Sequence, residues 1–201
     1  MKYKKHFFPS ILLIAGCFLF SSVKAQNVDI NILKNINPYN PSSSLWKAAT
    51  NSAYPLSVAA PLTMLSVGYL NHNKELQHKG WTVVGALAIN TVVVEALKYS
   101  VNRPRPYEQY VFIHPYDASE KGKSFPSGHT STAFATATAL SLECKKWYVV
   151  VPAYTWASLV GYARLYQGEH YPSDVLAGAV IGAGSAWLSH WLTHKYFAKR
   201  K

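Results

Sequence analysis

The chain has 201 residues, which is enough for one domain with a sizeable core but leaves little room for a second. Hydrophobic residues make up 49% of it, and its formal net charge of +11 suits anionic lipid surfaces or phosphorylated substrates. Much of the excess charge sits at the two ends, with no basic face interleaved with aromatic residues, so we expect no nucleic-acid partner.

The first 25 residues have the pattern of an export signal, with a basic start, an apolar stretch from Phe7 to Phe20 and small residues ending at Ala25. Two alternatives stay open. The stretch from Ile14 to Cys17 resembles a lipoprotein cleavage box, and the same apolar run could remain as an uncleaved first membrane span. In each case we expect the residues after this segment to be exported from the cytoplasm.

A polar segment over residues 26–50 precedes the main domain, residues 51–201. Pro38, Pro41 and the serines at 42–44 predict a linker or surface loop there. Beyond it no β-alternation is present, and the lengths and small residues of the apolar segments predict an all-α, compact bundle of five to six mostly apolar helices. The five apolar segments are Ser52 to Leu70, Trp81 to Val101, Thr130 to Leu142, Trp147 to Ala163 and Val175 to Leu192.

The connections between these segments favour a membrane-spanning bundle. If every segment crosses the bilayer, the basic residues at 74 and 79, at 145 and 146, and at 195–201 fall on one side, as cytoplasmic loops require. The short third segment, rich in Thr and Ser, argues the other way. We therefore expect insertion in a bacterial inner membrane, with a soluble periplasmic bundle as the alternative.

A first polar motif runs from Lys98 to Pro106, where two prolines end the second helix and force an extended path. This stiff corner can direct Lys98 and Arg105 toward one point, and an Arg fork matches two phosphate oxygens. We assign Arg103 to the membrane edge. Glu95, one helical turn before Lys98, is expected to pair with it.

A second motif, Pro126 to His129, precedes the third helix. Ser127 or a neighbour is expected to cap that helix, whose N–H groups and positive dipole end form an anion site. Gly128 lets the backbone approach a ligand closely, and His129 can donate a proton to a leaving alkoxide.

A third motif, Arg164 to Asp174, joins the fourth and fifth segments. Pro172 and Ser173 suit a helix start, which puts Asp174 in the first turn with its carboxylate able to reach one nitrogen of His170. An imidazole held in this way presents its other nitrogen as a nucleophile. The three motifs together predict a phosphate-handling active site.

Among the other histidines only His190 and His194 have a metal-ligand spacing, four residues apart. They lack a third ligand nearby in the sequence and are interpreted as interfacial residues.

The three motifs resemble the signature of the type-2 phosphatidic acid phosphatase and vanadium haloperoxidase superfamily, which is KxxxxxxRP, PSGH and SRxxxxxHxxxD. The resemblance runs from about Leu70 to the C-terminus. It departs from the signature at Ala163, where the family has Ser, and we expect this to remove at most one auxiliary hydrogen bond. The resemblance implies a helical bundle with a phosphate pocket at the ends of the motif-bearing helices.

The resemblance also implies residue roles. His170 would attack phosphorus to form a phosphohistidine, Asp174 would hold His170, and His129 would protonate the leaving oxygen, with no metal and no cofactor. Phosphate would be bound by Lys98, Arg105, Ser127, Gly128 and Arg164.

The leading hypothesis is a lipid phosphatase acting at the periplasmic face of the membrane. Candidate substrates are phosphatidic acid, phosphatidylglycerophosphate, undecaprenyl diphosphate and a lipid A phosphate, among which the sequence does not choose. The alternatives are a soluble periplasmic acid phosphatase of broad specificity, a vanadium-dependent haloperoxidase and a non-catalytic lipid-binding protein. No obligate protein partner is expected.

Overall fold

The computed structural model describes residues 22–120 and 122–197, with only the backbone described for 22–27 and 197. The predicted export signal and its alternatives therefore lie almost wholly outside the described residues. Seven helices and no strand are present in the described part of the chain, which confirms the predicted all-α bundle. The helices are α1 Ser22–Ile36, α2 Ser44–Leu70, α3 Lys74–Val101, α4 Pro106–Gln109, α5 Gly128–Cys144, α6 Trp147–Tyr166 and α7 Pro172–Phe197.

Each of the five predicted apolar segments forms one long helix, and local signals explain where the helices end. Helix α3 begins directly after Asn73, whose side chain accepts a hydrogen bond from the Leu76 amide at 3.0 Å. It ends at Val101 because Asn102 adopts the left-handed conformation, with φ of 51°, and Pro104 follows shortly after. This end point leaves Lys98 in the last turn of α3.

Helix α5 is the central helix of the bundle and packs against α2, α3, α6 and α7. Its buried side chains are mainly Ala, Ser and Thr, which let the neighbouring backbones approach closely. The closest approach is to α7: a Cβ on Gly178 would lie 2.7 Å from the Ser127 carbonyl oxygen, and one on Gly182 would lie 2.1 Å from that of Ser131. Glycine is therefore required at this helix crossing, which fixes the start of α7 beside the start of α5.

Helix α1 lies in the segment where the sequence predicted only polar residues and a loop. The loop around Pro38 and Pro41 is present between α1 and α2, but the helix before it was not predicted. Ile30 and Leu33 of α1 are buried against a small cluster that also contains Tyr171. This packing places α1 beside the loop that leads into α7.

Three of the helices are long and apolar enough to cross a membrane: α2, α3 with its continuation to Gln109, and α7 up to Tyr196. Each exposes large apolar side chains, such as Leu62 (57% exposed), Val92 (71%) and Leu176 (68%), as a lipid-facing surface requires. Helix α5, the short segment rich in Thr and Ser, is shielded by its neighbours, so its polar side chains need not face lipid.

Candidate active site

The three polar motifs converge at one end of the bundle. The first lies at the C-terminal end of α3, the second at the start of α5, and the third between α6 and α7. The Ser127 amide donates to the Asp174 carbonyl oxygen at 3.1 Å. A Cβ on Gly128 would lie 3.8 Å from Lys98 Nζ. The structure therefore brings residues from all three motifs into one cluster.

The start of α5 keeps its first-turn N–H groups free of a side-chain cap. Ser127 occupies the N-cap position, as expected, but its hydroxyl hydrogen-bonds the Thr130 hydroxyl at 2.9 Å and caps no backbone amide. Backbone N–H groups at a helix start, together with the helix dipole, favour an anion. Lys98 and Gly128 lie at this same point.

Two guanidinium groups, those of Arg105 and Arg164, are buried next to this helix start, each residue with 2% exposure. Arg105 Nη1 donates to the backbone carbonyl and to a carboxylate oxygen of Glu169, both at 3.1 Å. Arg164 Nη1 donates to Gln167 at 3.3 Å, whereas its Nε is buried with no hydrogen-bond partner among the described residues. A buried donor without a partner is costly and indicates a place for a ligand oxygen or a water.

Glu120 bridges the two guanidiniums. Its Oε1 accepts from Arg105 Nη2 at 2.9 Å and its Oε2 accepts from Arg164 Nη2 at 2.6 Å. Burial opposes its ionisation, but Arg164 and Arg105 outweigh that effect and lower the pKa of Glu120 to about 2. A charged carboxylate therefore joins two cations in the way that two oxygens of a phosphate would. The sequence reasoning missed Glu120, because it belongs to none of the three motifs.

Glu169, the second acid at these arginines, has the opposite character. It is fully buried, and burial raises its pKa to about 7 although Arg164 and Arg105 act against that shift. Its other oxygen accepts from the Asp117 amide at 3.1 Å. Glu169 therefore holds Arg105 in place with less than a full negative charge at neutral pH.

The His170 imidazole is buried and oriented by the backbone. Its Nδ1 lies 2.7 Å from the Ser124 carbonyl oxygen, which can only accept, so we assign the proton to Nδ1 and the lone pair to Nε2. Burial lowers the pKa of His170 to about 4, against the opposing effect of Asp174, and the ring is neutral at ordinary pH. A neutral imidazole with an unprotonated Nε2 is a competent nucleophile.

Asp174 acts on His170 mainly through Ser124. The predicted direct contact is long, with Asp174 Oδ2 at 3.7 Å from His170 Nδ1, beyond hydrogen-bond range. The Ser124 hydroxyl donates to the same Oδ2, and the Tyr171 amide does so at 3.0 Å. Asp174 thus fixes Ser124, whose carbonyl fixes the imidazole.

The assignment of Arg103 to the membrane edge is wrong. Its Nη1 donates to Asp174 Oδ1 and to the Ser173 hydroxyl, both at 2.7 Å, and its Nη2 lies 3.1 Å from Asp29 Oδ2. Its guanidinium also stacks 3.8 Å above the centre of the Tyr171 ring. Arg103 compensates two largely buried carboxylates behind His170, a role that required the α1 residue Asp29, which the sequence did not single out.

His129 and Lys98 complete the cluster. The His129 ring packs on that of Tyr54, with 4.6 Å between ring centres, and interacts electrostatically with Arg164 and His170. The predicted Glu95–Lys98 pair is wrong, because no carboxylate of the described residues lies within 4 Å of Lys98 Nζ. The ammonium group of Lys98 therefore remains available to a ligand.

Proteins of known sequence and structure resemble the chain over most of its length. Lipid A 1-phosphatase of Porphyromonas gingivalis is 32% identical over 180 residues, which is 88% of this chain and 37% of that protein. Undecaprenyl-diphosphatase of Sulfolobus acidocaldarius is 33% identical over 119 residues, 58% of this chain and 56% of that protein. The chain thus spans about a third to a half of the length of these curated relatives.

Two solved structures share the fold. LpxE of Aquifex aeolicus superposes with a TM-score of 0.66 at 31% identity, covering 82% of this chain and 95% of that one. A transmembrane PAP2-type phosphatidylglycerolphosphate phosphatase of Bacillus subtilis superposes with a TM-score of 0.69 at 23% identity, covering 92% and 94%. The three candidate spans of this chain support a membrane protein. The family model of the PAP2 superfamily matches residues 79–198, more than half of the chain, and the chain belongs to that superfamily.

Proposed function

We propose that the protein hydrolyses a phosphomonoester or diphosphate of a lipid through a phosphohistidine intermediate, with no metal taking part in the reaction. The observation that carries this proposal is that His170, held at Nδ1 by the Ser124 carbonyl, lies close enough to the guanidiniums of Arg105 and Arg164 for both to act on it electrostatically. Phosphoryl transfer depends on positioning a nucleophile and neutralising charge on the equatorial oxygens, and this cluster supplies both.

Substrate phosphate would take the place of the Glu120 carboxylate between the two arginines. The bridging geometry of Glu120 supports this step, as does the unpartnered Nε of Arg164. Lys98 would add a compact charge. The Ser127 amide already donates to the Asp174 carbonyl oxygen, so the first-turn amides of α5 from Gly128 onward would bind a third oxygen, and Gly128 leaves room for that approach.

The reaction would then proceed in two displacements. His170 Nε2 gives its lone pair to phosphorus, and the bond from phosphorus to the ester oxygen breaks. Burial and Arg164 lower the pKa of His129 to about 3, so His129 would take up a proton from the bound substrate phosphate and transfer it to the departing oxygen. Water next attacks the phosphohistidine, giving its proton to His129, and the phosphorus–nitrogen bond breaks to release phosphate and neutral His170. Asp174 and Ser124 keep the imidazole in one orientation throughout.

A lipid substrate is supported by an apolar groove on the outer surface of the bundle. The groove has a volume of about 830 Å³ and runs along α6 from Val150 to Tyr162, next to Trp46 of α2. It contains none of the proposed catalytic residues, but it ends at Tyr162 near the active-site end of α6, where the Trp46 ring packs on those of Tyr162 and Tyr166. The groove would hold an acyl chain while the phosphate enters the polar cluster.

The distribution of basic residues supports one side of the membrane for the proposed site. Lys74, Lys79 and Lys145 lie at the end of the bundle opposite the polar cluster, and basic residues favour the cytoplasmic face. The proposed site would therefore face the periplasm of a bacterial inner membrane. The named relatives act on lipid A and on undecaprenyl diphosphate, which makes both classes candidate substrates.

The test is phosphate release by the full chain in detergent, from phosphatidic acid, undecaprenyl diphosphate, lipid A and a water-soluble phosphomonoester. We expect His170→Ala to lose at least about 10⁴-fold in kcat, as removal of a nucleophile does. The matched control is His72→Asn, at the other end of the bundle, where Asn tolerates the left-handed backbone. Equal phosphate release by wild type and His170→Ala would overturn the proposed nucleophile.

A trapping experiment separates the mechanism from mere activity. Brief incubation with ³²P-labelled substrate followed by alkaline quenching is expected to leave label on the protein that is lost in acid, as a phosphohistidine is. His170→Ala is expected to carry no label. Label that is stable in acid, or that persists in His170→Ala, would contradict a covalent intermediate on this residue.

A further inference from the structure

The end of the bundle opposite the active site gathers three histidines and one carboxylate from three helices. His78 lies in the second turn of α3, Glu143 in the last turn of α5, and His190 and His194 in the last turns of α7. The His190–His194 pair has no third ligand nearby in the sequence, but folding brings Glu143 to both histidines and His78 to His194.

The ligand atoms are close together. One atom each of His78, Glu143 and His194 lie within 4.8 Å of one another. Glu143 Oε1 is 2.8 Å from His190 Nδ1 and 3.5 Å from His194 Nε2, and the rings of His78 and His194 are centred 5.1 Å apart. His190 and His194 thus lie at one oxygen of Glu143, with His78 close by.

Burial and charge at this point favour a cation. The Glu143 side chain is only 3% exposed, and among the described residues its ion-pair partners within 4 Å are both histidines. A buried carboxylate requires compensation by a cation or by hydrogen bonds. Helices α5 and α7 also direct their C-terminal, negative dipole ends here. His194, with its side chain 51% exposed, leaves a path from water.

We propose that His78, Glu143 and His194 form a binding site for a divalent transition-metal ion such as Zn²⁺, with water as the fourth ligand. Imidazole and carboxylate are the ligands that Zn²⁺ takes, in a tetrahedron with bonds of about 2.0–2.2 Å. Ligand atoms then lie about 3.4 Å apart, so side-chain rotations would close the site. His190 donates from Nδ1 to Glu143 and orients that carboxylate, as residues around metal sites do.

The metal would join the ends of α3, α5 and α7 and so stabilise the bundle. The site is separated from the start of α5 by 15 residues of helix, or about 22 Å at 1.5 Å per residue. It therefore takes no part in the proposed reaction. A metal that binds only the folded chain raises the temperature of unfolding by mass action.

The test is Zn²⁺ binding to the full chain in detergent, purified with a tag that contains no histidine and stripped with chelator. We expect about one equivalent of bound Zn²⁺ by isothermal titration calorimetry and a higher unfolding temperature with the metal. Glu143→Gln, which keeps a hydrogen-bonding side chain, and His194→Ala, at an exposed position, are both expected to lose binding at least tenfold. His72→Asn, a histidine at the same end outside the cluster, is the matched control.

Two outcomes would overturn the proposal. One is wild-type protein that binds no Zn²⁺, and the other is binding that is as tight in Glu143→Gln and His194→Ala as in the control. Substitution with Co²⁺ checks the ligand set, because thiolate ligands give an intense charge-transfer absorption and the proposed nitrogen and oxygen ligands do not. A thiolate absorption would identify Cys144, next to Glu143, as a ligand and would contradict the proposed set.

Discussion

The two ends of the helical bundle use helices α5 and α7 for opposite chemistry. At the active-site end α5 and α7 begin, and their positive dipole ends lie with Lys98, Arg105 and Arg164. At the other end the same helices terminate, and their negative dipole ends lie with Glu143 and its histidines. Helix direction therefore makes one end suited to an anion and the other suited to a cation.

Glu120 and Glu143, the acids at the two ends, show that the side chains around a carboxylate determine its role. Glu120 bridges two guanidiniums and stands where we propose that substrate phosphate binds. Among the residues that the structure describes, the groups within ion-pair distance of Glu143 are imidazoles, which can bind a metal as well as a proton. A bound ligand would thus replace the carboxylate at one end and bind to it at the other.

After His170→Ala, the largest effect is expected at the active-site end from His129→Gln, which removes the proposed proton donor. We expect kcat on an alkyl phosphate ester to fall about a thousandfold, within the range for general acid catalysis. On a nitrophenyl phosphate the loss should be much smaller, since that leaving group needs no proton. Equal losses on both substrates would show that His129 is not the acid.

Arg103→Lys separates a buried positioning role from a membrane-edge role. A lysine keeps the positive charge but cannot contact Asp174, Asp29 and the Tyr171 ring at once, so we expect a loss of about 2 kcal/mol, or roughly 30-fold in kcat. Steady-state kinetics and thermal unfolding in detergent measure the loss of activity and any loss of stability. Activity equal to wild type would indicate the membrane-edge role for Arg103, because Lys can replace Arg in that role without loss.

Gly182→Ala tests whether the α5–α7 crossing holds the two ends in register. The new Cβ would lie 2.1 Å from the Ser131 carbonyl oxygen, and relief of that clash should cost about 1–3 kcal/mol. We expect the unfolding temperature to fall by about 5 °C. Gly184→Ala is the matched control, because a Cβ there meets nothing within 4 Å. Equal stability of the two variants would refute a tight crossing.

Glu120→Gln is expected to have the smallest effect, and in the favourable direction. If the Glu120 carboxylate competes with phosphate for Arg105 and Arg164, its neutralisation should lower KM and the inhibition constant of inorganic phosphate by about tenfold. Asp117→Asn removes a charge from an exposed acid of the same loop and is the control. The same gain in both variants would indicate long-range electrostatics instead of direct competition.

Local sequence signals predicted a large part of this protein. Apolar length and small-residue content predicted five long helices, and prolines and glycine marked the turns that carry Lys98, Ser127 and His170. Helix α1 was missed because its polar composition hides the few apolar residues, such as Ile30 and Leu33, that it buries. Its contribution to the site, Asp29, was missed with it.

What the sequence by itself determined is the set of chemical groups and their places near helix ends, since proline, glycine and helix periodicity act over a few residues. Only the tertiary structure decided which groups meet. Ser124 hydrogen-bonds His170, Arg103 pairs with Asp174, and Glu120 bridges two arginines. The partners in these contacts are 15 to 71 residues apart in the sequence. These pairings involve loops between the helices, and side chains that far apart in sequence have no local signal that records their contact.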